Sequence, residues 1–325
     1  MGSVRSAMID VRATAFQDRA MPAFTPPGAY GAADPLFLLL IALAVEAYLG
    51  GRPIPLVAVL APRRALGRLV RELERRLNRP QRGARVRRVR GLIVMMVLAA
   101  LAAVVGVLAQ WLTRNYPFAW VLEAVLLVGL VDQRATWREA EAVRKALSGG
   151  SLIRAREALR PLVVGRLGAA ELDRLGAPAL VVAALTGLGH KYAVRLTAPV
   201  LWYVVFGLPG LFVQQTAHVA ATCLIPHAGP FGAGARLLDA AVSAPARYLA
   251  ALLLTVAAAF VPGSRPGAAL GPVLRGRCGP DDCLVQVIPA SPSGGRLMRA
   301  QSVFAVACLI NAGLVAALAL GRLAL

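Results

Sequence analysis

The sequence predicts an all-α, polytopic membrane protein with about five to six membrane helices. Apolar residues make up 58% of the 325-residue chain, whereas soluble domains carry roughly 45–50%. These residues fall in long runs separated by arginine-rich stretches, which is the pattern of membrane helices and their loops. The sequence shows no internal repeat and no alternating pattern long enough to indicate a sheet.

The uncharged run 92–112 is the clearest predicted span, since a membrane helix needs about 20 apolar residues. An aromatic belt begins at Trp111, and the run 118–131, with Glu123 inside it, then completes a helical hairpin. The run 54–61 is too short to span and is predicted to be re-entrant or interfacial. The other apolar runs lie at 35–49, 197–213, 217–225, 248–261 and 302–320.

The charges in the loops predict the orientation. Residues 63–90 hold twelve arginines against two glutamates, so this loop is predicted to face the cytoplasm. Within it, residues 63–77 place their apolar side chains on one helical face, which favours a helix on the membrane surface or on the bundle. Because the hairpin returns the chain to the same side, residues 132–195 are predicted to form a cytoplasmic helical lobe. Residues 1–33 are predicted to be a flexible tail before a single membrane domain, 34–325, in the inner membrane.

The net charge of +20, from 36 Lys+Arg against 16 Asp+Glu, flanks the apolar spans. This placement favours contact with the anionic head groups of the lipid bilayer and argues against a nucleic-acid partner. The sequence has no Gly-rich phosphate loop and no dinucleotide fingerprint, which excludes P-loop and Rossmann enzymes. No metal site and no cofactor is evident from the spacing of His, Cys and carboxylate residues. Cys278 and Cys283 bracket Gly-Pro-Asp-Asp in a loop, where they could close a disulfide or act as a dithiol.

A series of short motifs runs in a fixed order through residues 134–247. They are Arg134, Gly150-Ser151-Leu152, Val164-Gly165-Arg166, Leu172-Asp173, Ala198-Pro199-Val200-Leu201-Trp202, Arg236-Leu237-Leu238-Asp239 and Pro245-Ala246-Arg247. In residue type and spacing this series resembles the CobD/CbiB family, membrane enzymes of cobalamin biosynthesis. The resemblance extends over most of the chain from about residue 35 and is strongest within the motif region.

The resemblance implies an adenosylcobinamide-phosphate synthase, which joins aminopropanol or its phosphate to a propionate of adenosylcobyric acid. It also implies a corrinoid substrate or other cobalamin-pathway proteins as partners, and ATP with Mg²⁺ if the chain is active. The chain departs from the family pattern where the family carries acidic and amide residues. The family's Glu-Asn-x-x-Asp-Gly segment falls on residues 190–195, and its Asn-Thr-Leu-Asp-Ser-Met segment falls on residues 218–223. The resemblance therefore implies that the family's fold is kept, while acidic residues of its motifs are often replaced by basic ones.

Candidate catalytic residues are Glu123, an acid inside an apolar span, and the histidines His190 and His218. Candidate substrate-binding residues, suited to phosphate or a corrin side chain, are Arg166, Lys191, Arg195 and Asp239. Each has a structural alternative: a membrane anchor for the basic run 190–195, and a buried hydrogen bond or ion pair for the others. Arg247 is interpreted as an interfacial anchor at the start of a span.

Two other functions remain open at this point. One is a non-catalytic scaffold or regulatory membrane protein, as in the AmpE group, which resembles the same superfamily. The other is a transporter of an anionic solute, which the apolar spans and basic loops permit but which no repeat symmetry supports.

Overall fold

A computed structural model describes residues 34–49, 62–79, 81, 83–116, 118–164, 166–224, 229–290 and 293–323. Over these ranges the chain is helical and contains no strand, which confirms the predicted all-α class. The predicted tail at 1–33, the short run 54–61 and His227 lie outside the described residues.

The helices follow one another through short connections. The first seven are α1 (Pro35–Leu49), α2 (Pro62–Leu77), α3 (Ala84–Asn115), α4 (Trp120–Leu130), α5 (Gln133–Ser148), α6 (Leu152–Leu159) and α7 (Ala169–Leu172). The next seven are α8 (Ala177–Tyr192), α9 (Ala198–Phe206), α10 (Leu208–Leu224), α11 (Ala233–Ala259), α12 (Pro266–Leu274), α13 (Pro280–Val287) and α14 (Ser293–Leu323). A 3₁₀ turn, Arg160–Val163, follows α6, and a π-helical segment, Ala193–Thr197, joins α8 to α9.

Three helical stretches of the described chain are long and apolar enough to cross a membrane. They are Ala84–Asn115, Gly229–Ala259 and Gly295–Arg322, and the shorter Pro35–Leu49 is apolar as well. Apolar side chains of α3 such as Ile93, Val97 and Leu108 are more than half exposed, which suits contact with lipid. The chain is therefore an all-α membrane protein. Its remaining apolar helices α4, α9 and α10 are shorter, with 11, 9 and 17 residues.

The predicted amphipathic helix at 63–77 is present as α2, and its apolar face packs on the bundle. Val70 is buried in a core cluster with Met95 and Leu98 of α3, Leu224 of α10 and side chains of neighbouring helices. The opposite face carries exposed arginines. The arginine-rich stretch thus continues into the first turns of α3 as helix rather than loop.

Residues 132–195 contain α5, α6, α7 and α8, which we call the lobe. We include α12 and α13 in it, because α13 packs against α8 and α12 packs against α13. Ser151 caps α6 by accepting a hydrogen bond from the backbone N–H of Arg154 at 3.4 Å. The second half of α11 also belongs to this core, since Ala250, Leu254 and Ala257 are fully buried. The run 248–261, predicted to be a span of its own, is therefore the buried end of a longer helix that begins at Ala233.

The predicted spans 197–213 and 217–225 are divided at a different point from the one expected. The break lies at Gly207, whose φ of 69° is readily reached only by glycine. The backbone N–H of Leu208 is then satisfied by the Gln110 Oε1 atom at 3.1 Å. Polar residues that suggested a break instead lie within α10, where Gln214 and Gln215 are buried and donate to backbone carbonyls.

Candidate anion-binding site

The candidate site is built around Asp281, in the first turn of α13. The partial positive charge of a helix N-terminus favours an acidic residue there. The adjoining Pro280 carbonyl lies against Gly189 of α8, so the two helices approach closely at this point. Asp281 is only 8% exposed, although a carboxylate is rarely buried without cationic partners.

Three cationic or ionisable side chains surround this carboxylate. The Nη2 atom of Arg166 lies 3.0 Å from Asp281 Oδ2, and Nη2 of Arg247 lies 3.2 Å from the same oxygen. The Nδ1 atom of His190 lies 3.4 Å from Asp281 Oδ1. Both atoms of this last pair are buried and complete no hydrogen bond within the described residues. We call these four residues the Asp281 cluster.

The charges of the Asp281 cluster set the protonation state of the carboxylate. Burial acts to raise the pKa of Asp281, but His190, Arg166 and Arg247 outweigh burial, so the pKa lies below its ordinary value. The carboxylate is therefore ionised at neutral pH. The two guanidinium groups still exceed it by one positive charge, and both remain accessible, with 30% and 43% of their side chains exposed.

A second group of charges, the Lys191 cluster, joins the lobe to the membrane helices. Its members are Arg63, Asp132, Glu139, Lys191 and Arg195. Lys191 forms a close ion pair with Glu139, and Arg195 Nη1 lies 3.9 Å from the same carboxylate and 3.6 Å from Asp132. Arg63 pairs with Asp132, so every charge in this group has an opposite partner.

The predicted site residues are distributed over several places. Arg166 and His190 meet at Asp281, whereas Lys191 and Arg195 meet at Glu139. His218 faces Asp239, with 3.7 Å between Nδ1 and Oδ1. The basic run 190–195 is therefore not one cluster, because the neighbouring residues His190 and Lys191 point about 100° apart around α8 and so reach different acids. Arg247 lies inside α11 against Asp281 and is not a terminal anchor.

Glu123 lies apart from both clusters. Its carboxylate accepts a hydrogen bond from the Tyr203 hydroxyl at 2.6 Å, and that hydroxyl lies near the carbonyl of Pro35 at the start of α1. The other end of α1 contacts the chain next to the Lys191 cluster, since Gln133 donates to the Leu43 carbonyl. The length of α1, at roughly 1.5 Å per residue, thus separates Glu123 from the Lys191 cluster.

The two loop cysteines are both free thiols. Cys278 Sγ donates to the Gly279 carbonyl at 3.5 Å, and Cys283 Sγ lies 3.3 Å from Thr255 Oγ1 in the core of the lobe. The Gly-Pro-Asp-Asp segment between them is the start of α13. Sequence reasoning considered this segment only for its cysteines and therefore missed Asp281, although acids after Gly-Pro are a helix-start signal.

A divalent metal with ATP, which the resemblance implies, requires carboxylates that are free to coordinate. Here Asp132, Glu139 and Asp281 each face at least two cationic side chains. Within the described ranges, no three His, Cys, Asp or Glu residues are grouped so as to hold a metal ion. These residues suit an anionic ligand and do not fit a Mg²⁺ site.

Lys191 predicts a pH dependence of stability with a defined sign. Burial, helped by Arg195, lowers the pKa of Lys191 to about 8 despite the attraction of Glu139, whereas an unfolded lysine titrates near about 10.4. The unfolded chain therefore binds more protons between these values, so stability should rise with pH across this window, by about 3 kcal/mol at most. Thermal unfolding midpoints of wild type and Lys191→Met, measured from pH 8 to 10, should show the rise in wild type only.

Comparisons with known proteins point to one family. The CobD/Cbib protein family model matches residues 39–278. The cobalamin biosynthesis protein CobD of a Sinorhizobium species is 32% identical over 146 residues, which cover 44% of this chain and 43% of that protein. The CobD protein of Rhizobium meliloti strain 1021 is 31% identical over 148 residues, which cover 44% of this chain and 43% of that protein. The CobD protein of Brucella suis biovar 1 is 31% identical over 152 residues, which cover 45% of this chain and 44% of that protein.

These alignments span less than half the length of the relatives. No solved structure matches the chain. The family match, in contrast, covers most of the chain and includes every predicted site residue as well as Arg247. The protein therefore belongs to the CobD/Cbib protein family.

Proposed function

We propose that this protein acts in cobalamin biosynthesis, where it binds an anionic corrinoid at the Asp281 cluster. Family membership and the names of its relatives support the pathway. The convergence of Arg166, His190 and Arg247 on one carboxylate carries the choice of ligand. Guanidinium groups bind carboxylates and phosphates through charge-assisted hydrogen bonds, and both groups occur on corrinoid precursors.

The positive charge supports a cytoplasmic, multi-pass placement in the inner membrane. Arginines such as Arg68, Arg71, Arg85 and Arg88 lie on α2 and the start of α3, where they would meet anionic head groups. The Asp281 cluster lies in the lobe on the same side in this arrangement. A water-soluble corrinoid would then reach the cluster directly from the cytoplasm.

The family reaction proposed for this site is amide formation between adenosylcobyric acid and aminopropanol or its phosphate. One observation favours a second candidate, a non-catalytic binding or regulatory role in the same pathway. The carboxylates of the two clusters, Asp132, Glu139 and Asp281, are already paired with cations, and no three His, Cys, Asp or Glu residues of the described chain are grouped so as to hold Mg²⁺. An assay must therefore read binding and product formation separately.

Complementation tests the proposal. The gene is expressed in a bacterium without its own synthase of this family, supplied with adenosylcobyric acid and aminopropanol phosphate, and adenosylcobinamide phosphate is measured. Binding of adenosylcobyric acid to the purified protein is measured in parallel. Arg166→Gln and Arg247→Gln should each weaken binding by about tenfold or more, because each removes a charge-assisted contact. Arg275→Gln is the matched control, since Arg275 is exposed and makes no ion pair among the described residues.

Binding with product supports the enzyme, and binding without product supports the non-catalytic role. Absence of corrinoid binding by a folded, membrane-inserted protein would contradict the proposal. Equal losses in Arg275→Gln and in the two cluster variants would show that the effect is general rather than local.

Glu123→Gln separates a catalytic from a structural carboxylate. The amide oxygen can still accept the hydrogen bond from Tyr203, so product formation or corrinoid binding should stay within about twofold of wild type. Stability should change by no more than about 1 kcal/mol, the net contribution of a typical hydrogen bond, because this hydrogen bond is retained. A loss of product by a factor of roughly 10²–10⁴, the range for removing an acid–base group, would instead assign Glu123 to the reaction.

A further inference from the structure

A cavity of about 460 Å³ opens beside the Asp281 cluster. It lies between α8 and the segment that follows α6, and its walls are mostly apolar. The wall residues include Val163, Leu167, Leu175, Ala179, Val182 and Ala183. A cavity of about 150 Å³ is enough to bind benzene, so this one has room for a larger ring system.

Arg166 belongs to both places, because it lines this cavity and its Nη2 atom contacts Asp281. An anion held at the guanidinium would therefore lie at the edge of an apolar chamber. Ligand sites commonly combine apolar walls with one or two polar groups that fix orientation.

We propose that the cavity receives an apolar, planar ring carried by the ligand whose anionic group binds at Arg166. This inference rests on the anion site of the proposed function and adds a second contact region to it. Charge complementarity favours this occupant. A neutral apolar molecule would make no ion pair with Arg166, and a bare anion would leave the apolar walls exposed to water. The ligand class is thus an apolar ring attached to a phosphate or carboxylate.

Phenyl phosphate and inorganic phosphate are suitable probes, because they share the anion and differ by one ring. Both are water-soluble, so calorimetric titration of the full-length protein in nanodiscs is practicable. Phenyl phosphate is expected to bind at least about tenfold more tightly than inorganic phosphate, since the ring leaves water for the apolar walls.

Ala179→Phe fills the cavity from an exposed position on α8 and is expected to remove the tenfold preference. Its affinity for inorganic phosphate should stay at the wild-type value, which also reports that the Asp281 cluster is intact. Ala268→Phe is the matched control, because Ala268 is an exposed residue of the lobe helix α12 and does not line the cavity. Arg166→Gln should weaken the binding of both probes.

The outcomes distinguish the two proposals. If wild type bound the two probes equally tightly and Arg166→Gln weakened both, the ring site would be overturned and the anion site would stand. A preference for phenyl phosphate that survives Ala179→Phe would place the ring elsewhere and also overturn the inference. Failure of inorganic phosphate to bind, or binding unaffected by Arg166→Gln, would overturn the anion site and the proposed function with it.

Discussion

Asp281→Asn is expected to lower the free energy of unfolding by about 2–3 kcal/mol and, at the same time, to tighten the binding of inorganic phosphate. The substitution leaves Arg166 and Arg247 close together without their shared counter-charge. Removing one member of a buried ion pair costs roughly 3–5 kcal/mol. The expected loss is smaller because both arginines are partly exposed and can be rehydrated.

The gain in phosphate affinity follows from the same charges. In the native site Asp281 competes with an incoming anion for the two guanidinium groups. Without that carboxylate, phosphate should bind about tenfold more tightly, and added phosphate should restore much of the lost stability by mass action. If Asp281 were only a structural ion-pair partner, Asp281→Asn would lose stability and added phosphate would not restore it.

The measurement is the thermal unfolding midpoint and the phosphate dissociation constant of the purified variant. Asp282→Asn is the matched control, since Asp282 is the adjacent acid, is exposed, and makes no ion pair within the described ranges. The control should resemble wild type in both measurements. Equal destabilisation of the two variants, or weaker phosphate binding in Asp281→Asn, would contradict the assignment of the cluster.

The same carboxylate predicts an acid limit to stability. Since the folded pKa of Asp281 lies below its unfolded value, its contribution is fully present above the unfolded pKa. The contribution is lost as pH falls through the folded pKa, where the carboxyl group becomes protonated.

Most of the helices could be predicted from the sequence, because apolar runs and helical periodicity are local signals. The run 35–49 coincides with α1, and 92–112 lies within α3. The boundary between 197–213 and 217–225 was wrong because buried polar side chains resemble a loop in a hydropathy pattern. The side-chain amides of Gln214 and Gln215 instead donate to the carbonyls of Val194 and Leu130, contacts that no local pattern reveals.

The site was predicted less well than the fold, for the same reason. Arg166 and His190 were identified as candidates, but the partner that brings them together is about 90–115 positions away in the chain. Basic residues on a helix have the same sequence pattern whether they face lipid, acids or substrate. Only the packing of α8 against α13 shows that these cations converge on a single acid.

The close contact between α8 and α13 predicts that substitution of Gly189 has a large effect on stability. Gly189→Ala is expected to destabilise the protein by about 3 kcal/mol and to tighten phosphate binding. A Cβ atom at Gly189 would lie 2.0 Å from the carbonyl oxygen of Pro280, a backbone atom that cannot rotate away. Overpacking of this kind typically costs 1–3 kcal/mol or more, which exceeds the roughly 1 kcal/mol that alanine gains in a helix.

The tighter binding has a specific cause, because α13 carries Asp281, the carboxylate that competes with phosphate, directly after Pro280. Pushing α13 away from α8 separates the carboxylate from His190, and from Arg166 on the adjoining segment. Gly271→Ala is the matched control, since Gly271 lies in the lobe helix α12 with no atom within 4 Å of the added Cβ. That control should be neutral or slightly stabilised in thermal unfolding. If Gly189→Ala unfolded at the same temperature as the control and bound phosphate no more tightly, the close approach of α8 and α13 could not be what positions the Asp281 cluster.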